Sequence, residues 1–350
     1  MVEKTVLGVM SGTSLDGVDL AMLHFERKEV WKYSILATTT LAYPEEWVGR
    51  LRHAVDLSKQ DLAVLDRDYT LYLAKIIQGY LAQQPQLPDF VSSHGHTVLH
   101  QPEKGITYQI GNLPSLAEVT GQKVICNFRV ADVALGGQGA PLVPGGEVHL
   151  FSQYSACVNL GGFANITLLN NTSVVAFDIC PVNIVMNALV QPLGLAYDAN
   201  GELASSGQMI SELLDQFNQL DFYKTTFPKS LGVEWVKAQL NPLLRQYENR
   251  STVDILHTFC YHIAHQIAQV LPENGPVLFT GGGCYNSFLI NLIKDHARVE
   301  IVFPSKDLIE YKEAMIFGFL GVLKELNQNN CLASVTGAQF DHVSGEIFLP

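Results

Sequence analysis

One carboxylate and three glycine-rich turns are the residues of this chain whose types and spacing could do chemistry. Asp178 follows the apolar run Val174 to Phe177 and precedes Pro181 and Asn183, which places it at a strand end where a helix begins. A carboxylate there can act as a general base, or it can cap the helix. The run GVMSGTSLDGVD, Gly8 to Asp19, reads as a strand, a turn and a second strand. Its turn could present successive amides and hydroxyls to a triphosphate, with Asp16 or Asp19 holding a hydrated magnesium ion, or it could be an ordinary hairpin turn. It has neither the spacing nor the lysine of a Walker A loop. NLGGFANIT, Asn159 to Thr167, joins two further strands, and there Gly161 and Gly162 allow close backbone approach to phosphate oxygens. TGGGCYN, Thr280 to Asn286, follows a strand and opens a helix, which suits an adenine ring or ribose, and it lacks the GxGxxG spacing of a dinucleotide fold.

Two further clusters are polar. SHGHTVLH, Ser93 to His100, sets His94 and His96 on one face if extended, but no matched carboxylate or thiol lies nearby to complete a metal site. Hydrogen bonding of a substrate by His94 is the preferred reading. In NFRVADVALGGQGAP, Asn127 to Pro141, Arg129 and Asp132 form either a surface pair or an anion clamp, and the clamp is preferred.

The elements that must position these groups follow one order twice. Three strands, Thr5–Met10, Val18–Phe25 and Tyr33–Ala42, precede helices Glu45–Val55 and Asp61–Leu81, a strand Phe90–Ser93, a helix Leu113–Thr120 and a strand Val124–Phe128. Strands Ala156–Leu160, Ala164–Leu169 and Val174–Phe177 then precede helices Asn183–Leu193, Met209–Leu220, Val233–Arg245 and Thr252–Val270, with strands Val277–Thr280 and Val299–Val302. The apolar run Ala314–Leu323 reads as a core helix, and the Gly- and Pro-rich segment Phe128–Glu147 as the crossover between domains.

A chain of 350 residues suits two domains, and 47% hydrophobic with 16% charged residues leaves no sign of bulk disorder. The balance of 22 basic against 34 acidic residues, a net charge of -12, argues against nucleic acid and anionic membranes as partners. It also means that an anion such as ATP must be held by a divalent cation, backbone amides and local basic groups. The six cysteines are scattered singly, as in a reducing cytoplasm, and no apolar stretch near the N-terminus is long enough for a signal or a membrane span.

The segments GVMSGTSLDG, SHGHTVLH, FRVADVALGGQGAPLVP, NLGGFANIT, PKS, GGGCYN, KEA and SVTGA, in that order along almost the whole chain, resemble the anhydro-N-acetylmuramic acid kinases. The resemblance implies an α/β fold, a duplicated ribonuclease H-like two-domain architecture of the actin and hexokinase type with an interdomain cleft. It implies a first domain of residues 1–130 with a C-terminal segment 338–350, and a second of 131–337. It also implies ATP and magnesium (Mg2+) as cofactors, a sugar substrate, cell-wall recycling in the cytoplasm and a homodimer. Gly12, Thr13, Ser14, Leu15, Asp16, Gly17, Val18 and Asp19 then form the phosphate loop, Gly161 and Gly162 a second phosphate contact, and Gly281, Gly282 and Gly283 the nucleoside loop. Asp178 matches the catalytic base, and His94, Arg129, Asp132 and Gln138 fall in sugar-binding segments. No dedicated protein cage for a metal is implied; magnesium is carried mainly by ATP and water, with Asp16 as the candidate protein ligand. Lys229 and Ser230 match the PKS segment without an assigned role.

The sequence departs from the family pattern at four places. Cys180 and Val182 in FDICPVN stand where small residues are usual, Asn187 replaces an Asp and His96 a Gln. In the implied reaction the anhydro bridge is hydrolysed and the freed oxygen phosphorylated. Rival readings are an ordinary sugar hydroxyl kinase of the same fold, a nucleotide-binding homologue with lost or altered catalysis, and metal-dependent acyl or carbamoyl transfer using His94, His96 and His100.

Overall fold

The structure is a computed structural model that describes residues 1–12, 14–169 and 173–350. It divides into two compact units, Met1–Leu150 with Tyr311–Pro350, and Phe151–Glu310. The change of unit after Leu150 lies beyond the segment Phe128–Glu147 expected as the crossover. That segment instead carries the helices Val130–Ala134 and Pro144–Leu150 of the first unit.

In the first unit, β1 (Val2–Ser11), β2 (Gly17–Arg27) and β3 (Trp31–Ala42) form an antiparallel meander. β4 (Phe90–Gln101) lies parallel to β1, and β6 (Val124–Cys126) parallel to β4. β5 (Ile106–Ile110) extends β4 as a hairpin and β12 (Glu346–Phe348) borders β6. Alternate residues of β1 and β2 bury Leu7, Val9, Val18, Leu20 and Met22 against Tyr69, Leu73 and Ile77 of the helix Lys59–Leu81. That helix starts at Ser58, whose hydroxyl accepts the Asp61 N–H at 3.2 Å.

The second unit repeats the order. β7 (Ala156–Leu160), β8 (Phe163–Leu168) and β9 (Val175–Pro181) are antiparallel, then β10 (Val277–Thr280) lies parallel to β7 and β11 (Ile301–Val302) parallel to β10. The sheet orders β3-β2-β1-β4-β6 and β9-β8-β7-β10-β11 are the same ribonuclease H-like arrangement, so the duplicated α/β plan holds strand by strand. The second core packs Val158, Leu160 and Ile166 with Leu256, Phe259 and Ile263 of the helix Thr252–Val270.

Several elements differ from expectation. β4 was expected to end at Ser93 but runs to Gln101, because polar His, Thr and Gln residues continue to pair with β5. β5 and β12 were missed. Both are short, and neither repeats an apolar face long enough to show as periodicity.

His262 of the helix Thr252–Val270 is fully buried, with Nδ1 2.7 Å from Asn218 Oδ1 and Nε2 3.0 Å from the Tyr223 hydroxyl. Burial lowers its pKa to about 3. Its contribution is therefore fully present above the unfolded histidine value of about 6.5 and is lost as pH falls from there towards about 3, at up to about 1.4 kcal/mol per pH unit. Urea midpoints should fall between pH 7 and pH 5, and His262→Gln should flatten that dependence.

Candidate functional site

Each unit holds its own group of chemistry-bearing residues. In the second unit, Asp178 is the fourth residue of β9 rather than its end, and it pairs with Asn165 of β8. It does not cap the helix Asn183–Val190, which starts at Val182 without a side-chain cap. The half-buried carboxylate accepts the Leu231 N–H at Oδ2, 2.8 Å, and no protein hydrogen bond engages Oδ1 among the described residues. The Asp178 N–H donates to Lys229 O at 3.1 Å, so the PKS segment lies along Asp178. Burial raises the Asp178 pKa and the Leu231 N–H only partly opposes it. A raised carboxylate is a stronger base, which is what proton abstraction needs.

A one-residue bulge on β9 separates the pairs Ala164–Cys180 and Asn165–Asp178. The bulge breaks the side-chain alternation, so residues 178 and 180 do not share one environment. Cys180 and Val182 are fully buried in the second core. Cys180 and Val182, the residues that stand where small ones are usual, therefore fill core volume.

The two glycine turns of this unit meet. Gly281 has φ +87°, and a Cβ there would lie 2.8 Å from Asn159 Oδ1, while one on Gly283 would lie 2.7 Å from Leu160 Cβ. Gly282 is exposed, with only Asn183 Nδ2, at 3.9 Å, within 4 Å of an added Cβ. It borders a cavity of about 490 Å3 lined by Asn183, Met186, Asn187, Tyr197, Asn200 and Tyr285 among others. Amide and phenol groups around a backbone turn suit a nucleoside. Sequence reading missed this wall; the only local signal was the Asn200-Gly201 turn, where Asn200 takes φ +56°. The carbonyls of Gly161 and Gly162 accept the N–H groups of Val182, Asn183 and Ile184, and the Gly161 N–H donates to Phe163 O at 3.2 Å. Of this pair, Gly162 is the more open: only Ile184 Cβ, at 3.9 Å, lies near its missing side chain.

In the first unit, Gly12, Ser14, Leu15 and Asp16 form the turn between β1 and β2, while Gly17, Val18 and Asp19 already belong to β2. Thr13 lies outside the described residues. Ser14 and Asp16 are exposed and Leu15 has φ +62°. Asp19 Oδ1 accepts the Thr40 hydroxyl at 2.6 Å. Beside the turn, Ser11 Oγ contacts His96 Nδ1 at 2.9 Å and the Tyr43 hydroxyl at 2.7 Å, and Tyr43 continues to Tyr69. Burial pulls the His96 pKa down to about 4, so its ring is neutral at neutral pH.

The residues expected in the sugar segments come together here, but most of their polar atoms are engaged. Arg129 Nε donates to His94 Nε2 at 2.9 Å and Nη1 to Gly139 O at 2.7 Å, while His94 Nδ1 faces Gly95 O at 2.9 Å. Burial and the Arg129 charge hold the His94 pKa well below its usual value. His94 is thus a neutral ring fixing Arg129, with both nitrogens occupied. Asp132 does not pair with Arg129. It is fully buried, with Oδ2 accepting the Gly139 N–H at 2.7 Å and Oδ1 the Thr336 hydroxyl at 2.6 Å. It is therefore not part of a surface pair, and it joins the FRVAD and SVTGA segments. Gln138 is exposed, and its backbone N–H donates to Thr336 O at 2.8 Å. His94, His96 and His100 each have separate partners and form no metal-ligating group among the described residues.

The model of the anhydro-N-acetylmuramic acid kinase family matches residues 4–350. The chain belongs to the anhydro-N-acetylmuramic acid kinase family. Relatives of that name from Bacillus cereus (strain ATCC 10987 / NRS 248) and Bacillus thuringiensis (strain Al Hakam) are 33% identical to it over 379 and 380 residues, covering 99% of this chain and 99% and 98% of theirs. Among solved structures, component A of the (R)-2-hydroxyglutaryl-CoA dehydratase of Acidaminococcus fermentans is 13% identical, with a TM-score of 0.46 over 91% of this chain and 96% of that one. Membership makes the chain a kinase. Within this family the departure at Asn187 acquires a location, since that side chain lines the 490 Å3 cavity and presents a neutral amide there. No helix among the described residues is long and apolar enough to cross a membrane.

Proposed function

We propose that this kinase uses ATP and magnesium to open the 1,6-anhydro bridge of 1,6-anhydro-N-acetylmuramic acid with water and to phosphorylate the freed 6-oxygen. The products are N-acetylmuramic acid 6-phosphate and ADP. The observation that carries the proposal is Asp178: a half-buried carboxylate of raised pKa, anchored at Oδ2 by Leu231 and open at Oδ1. In this role Oδ1 takes a proton from the water that attacks the anomeric carbon. Arg129, its pKa lowered to about 10 by burial, remains cationic at neutral pH and supplies positive potential in the first unit for the acidic sugar.

The cavity beside Gly282 and Gly283 fits a nucleoside, and Gly12 and the exposed Gly162 leave backbone room for phosphate groups. The exposed Asp16 carboxylate would join the magnesium ion, which supplies neutralisation of phosphoryl charge. The enzyme acts in the cytoplasm in peptidoglycan recycling and assembles as a homodimer on this reading, with no nucleic acid or membrane partner.

Gly12→Val tests the phosphate turn. Among the described residues beyond its chain neighbours, a Cβ on Gly12 would meet only Ser14 atoms, the nearest being Ser14 Oγ at 3.4 Å, so the fold should tolerate the change. The branched side chain would still block amide approach. ATP affinity by calorimetry should weaken while the thermal midpoint stays nearly unchanged; unaltered affinity would remove this turn from the site.

ADP release tests the function as a whole. ADP should form only when 1,6-anhydro-N-acetylmuramic acid is present, and not with N-acetylmuramic acid, whose bridge is already open. Equal turnover of both sugars would indicate an ordinary hydroxyl kinase.

A further inference from the structure

Asp132, Cys331 and His342 are buried together in the first unit, and their ligating atoms all lie within 4.8 Å of one another. None of the motifs assigned to sugar or nucleotide includes Cys331 or His342. The two face each other across an isolated antiparallel bridge, with Cys331 N–H donating to His342 O at 3.1 Å and His342 N–H to Cys331 O at 3.2 Å. Paired positions on such a bridge project to the same side, so the thiol and the imidazole converge. Asn330, also fully buried, fixes this region by donating to Leu320 O and Ser344 O, both at 3.0 Å. Asp132 enters from the helix Val130–Ala134.

Both Asp132 oxygens accept hydrogen bonds and the Cys331 thiol pairs with Ser344, which leaves one polar atom of the cluster, on His342, to account for. His342 Nδ1 lies 3.1 Å from Phe340 O, where it can donate, and this leaves Nε2 as a lone pair directed at the cluster. Nε2 is buried with no hydrogen-bond partner among the described residues and stands 3.6 Å from Asp132 Oδ1. A buried acceptor nitrogen facing a carboxylate oxygen is repulsive unless something positive lies between them. An imidazole that donates one nitrogen to a backbone carbonyl and offers the other is the usual arrangement of a metal ligand.

We propose that Asp132, Cys331 and His342 form a site for a divalent transition metal, zinc in the first instance. Thiolate, imidazole and carboxylate together suit zinc, and a water completes four-coordination. Ligand atoms around tetrahedral zinc lie roughly 3.3–3.8 Å apart, so the Asp132–His342 spacing of 3.6 Å already fits, and the spacings to Cys331 lie within 4.8 Å. Binding forms the metal–sulfur bond and releases the Cys331 thiol proton to solvent, leaving the two carried charges of the ion balanced by one thiolate and one carboxylate. Without a cation, burial and the Asp132 charge hold that thiol up at about 12, in its protonated form. The metal would staple the C-terminal bridge to the segment that carries Arg129 and Gly139.

The test uses the untagged full-length chain, stripped with chelator and titrated with Co2+. One equivalent should bind with a thiolate-to-cobalt charge-transfer band, zinc should displace it, and zinc should raise the thermal midpoint. Cys331→Ser should lose the band, and zinc should no longer shift its midpoint. Because that variant could fail to fold, X-ray absorption of the zinc-loaded wild-type chain provides a second reading, with one sulfur and the remaining ligands nitrogen or oxygen expected. Substoichiometric binding without a charge-transfer band, a band that survives Cys331→Ser, or a zinc shell without sulfur would each overturn the proposal.

Discussion

Asp178→Asn should lower turnover by about 10²-fold or more while leaving the fold and ATP affinity nearly unchanged. The change is close to isosteric, and Oδ2, which accepts the Leu231 N–H, has an acceptor counterpart in the Asn amide oxygen. What disappears is the proton-accepting carboxylate. The pH profile supplies a second readout. Since burial raises the Asp178 pKa, kcat/KM of the wild-type enzyme should fall as pH drops through a value above that of an ordinary carboxylate. The residual activity of Asp178→Asn should lack that acid limb. A variant with normal turnover would remove Asp178 from the chemistry.

Lys312→Met should destabilise the chain by about 3–5 kcal/mol, because it leaves a buried charge without its partner. Lys312 Nζ lies 2.9 Å from Glu147 Oε1, and these residues are 4% and 1% exposed. The second oxygen of Glu147 is also buried and has no hydrogen-bond partner among the described residues, so the carboxylate depends heavily on this lysine. Replacing both partners, Lys312→Met with Glu147→Leu, should recover most of the loss in urea unfolding, since an apolar pair carries no desolvated charge. Equal stability of the single variant and the wild type would contradict the pairing.

That ion pair shows where sequence reading ran out. The KEA segment was visible as a family match, but its role depends on Glu147, 165 residues earlier in the chain. Ala314 of the same segment presents its carbonyl to β1, where a Cβ on Gly8 would lie 2.2 Å from Ala314 O. Periodicity reports which face of an element is apolar, and it carries no information about partners so distant. For the same reason the inclusion of Tyr311–Pro350 in the first unit was only partly foreseen, through the segment 338–350.

The legible parts had local causes. The meander β1–β3 announced itself through alternation and glycine turns, and the helix Thr252–Val270 through its 3.6-residue apolar repeat. The three glycine turns were found because close backbone approach restricts the choice of residue, as at Gly281. The neighbours of Asp178 singled it out in the sequence, but the bulge in β9 that buries Cys180 in the second core has no local sequence signal. The nucleoside-sized cavity was not legible, because its asparagine and tyrosine side chains come from separate segments that only folding assembles.

Reaction in 18O-labelled water tests most directly whether Asp178 activates water against the sugar. Mass spectrometry, read promptly before anomeric exchange, should find the label on the anomeric carbon of N-acetylmuramic acid 6-phosphate and none in the phosphoryl group. Label in the phosphate would show water attacking ATP, and an unlabelled phosphorylated anhydro sugar would show direct hydroxyl transfer; either would contradict the proposed role of Asp178.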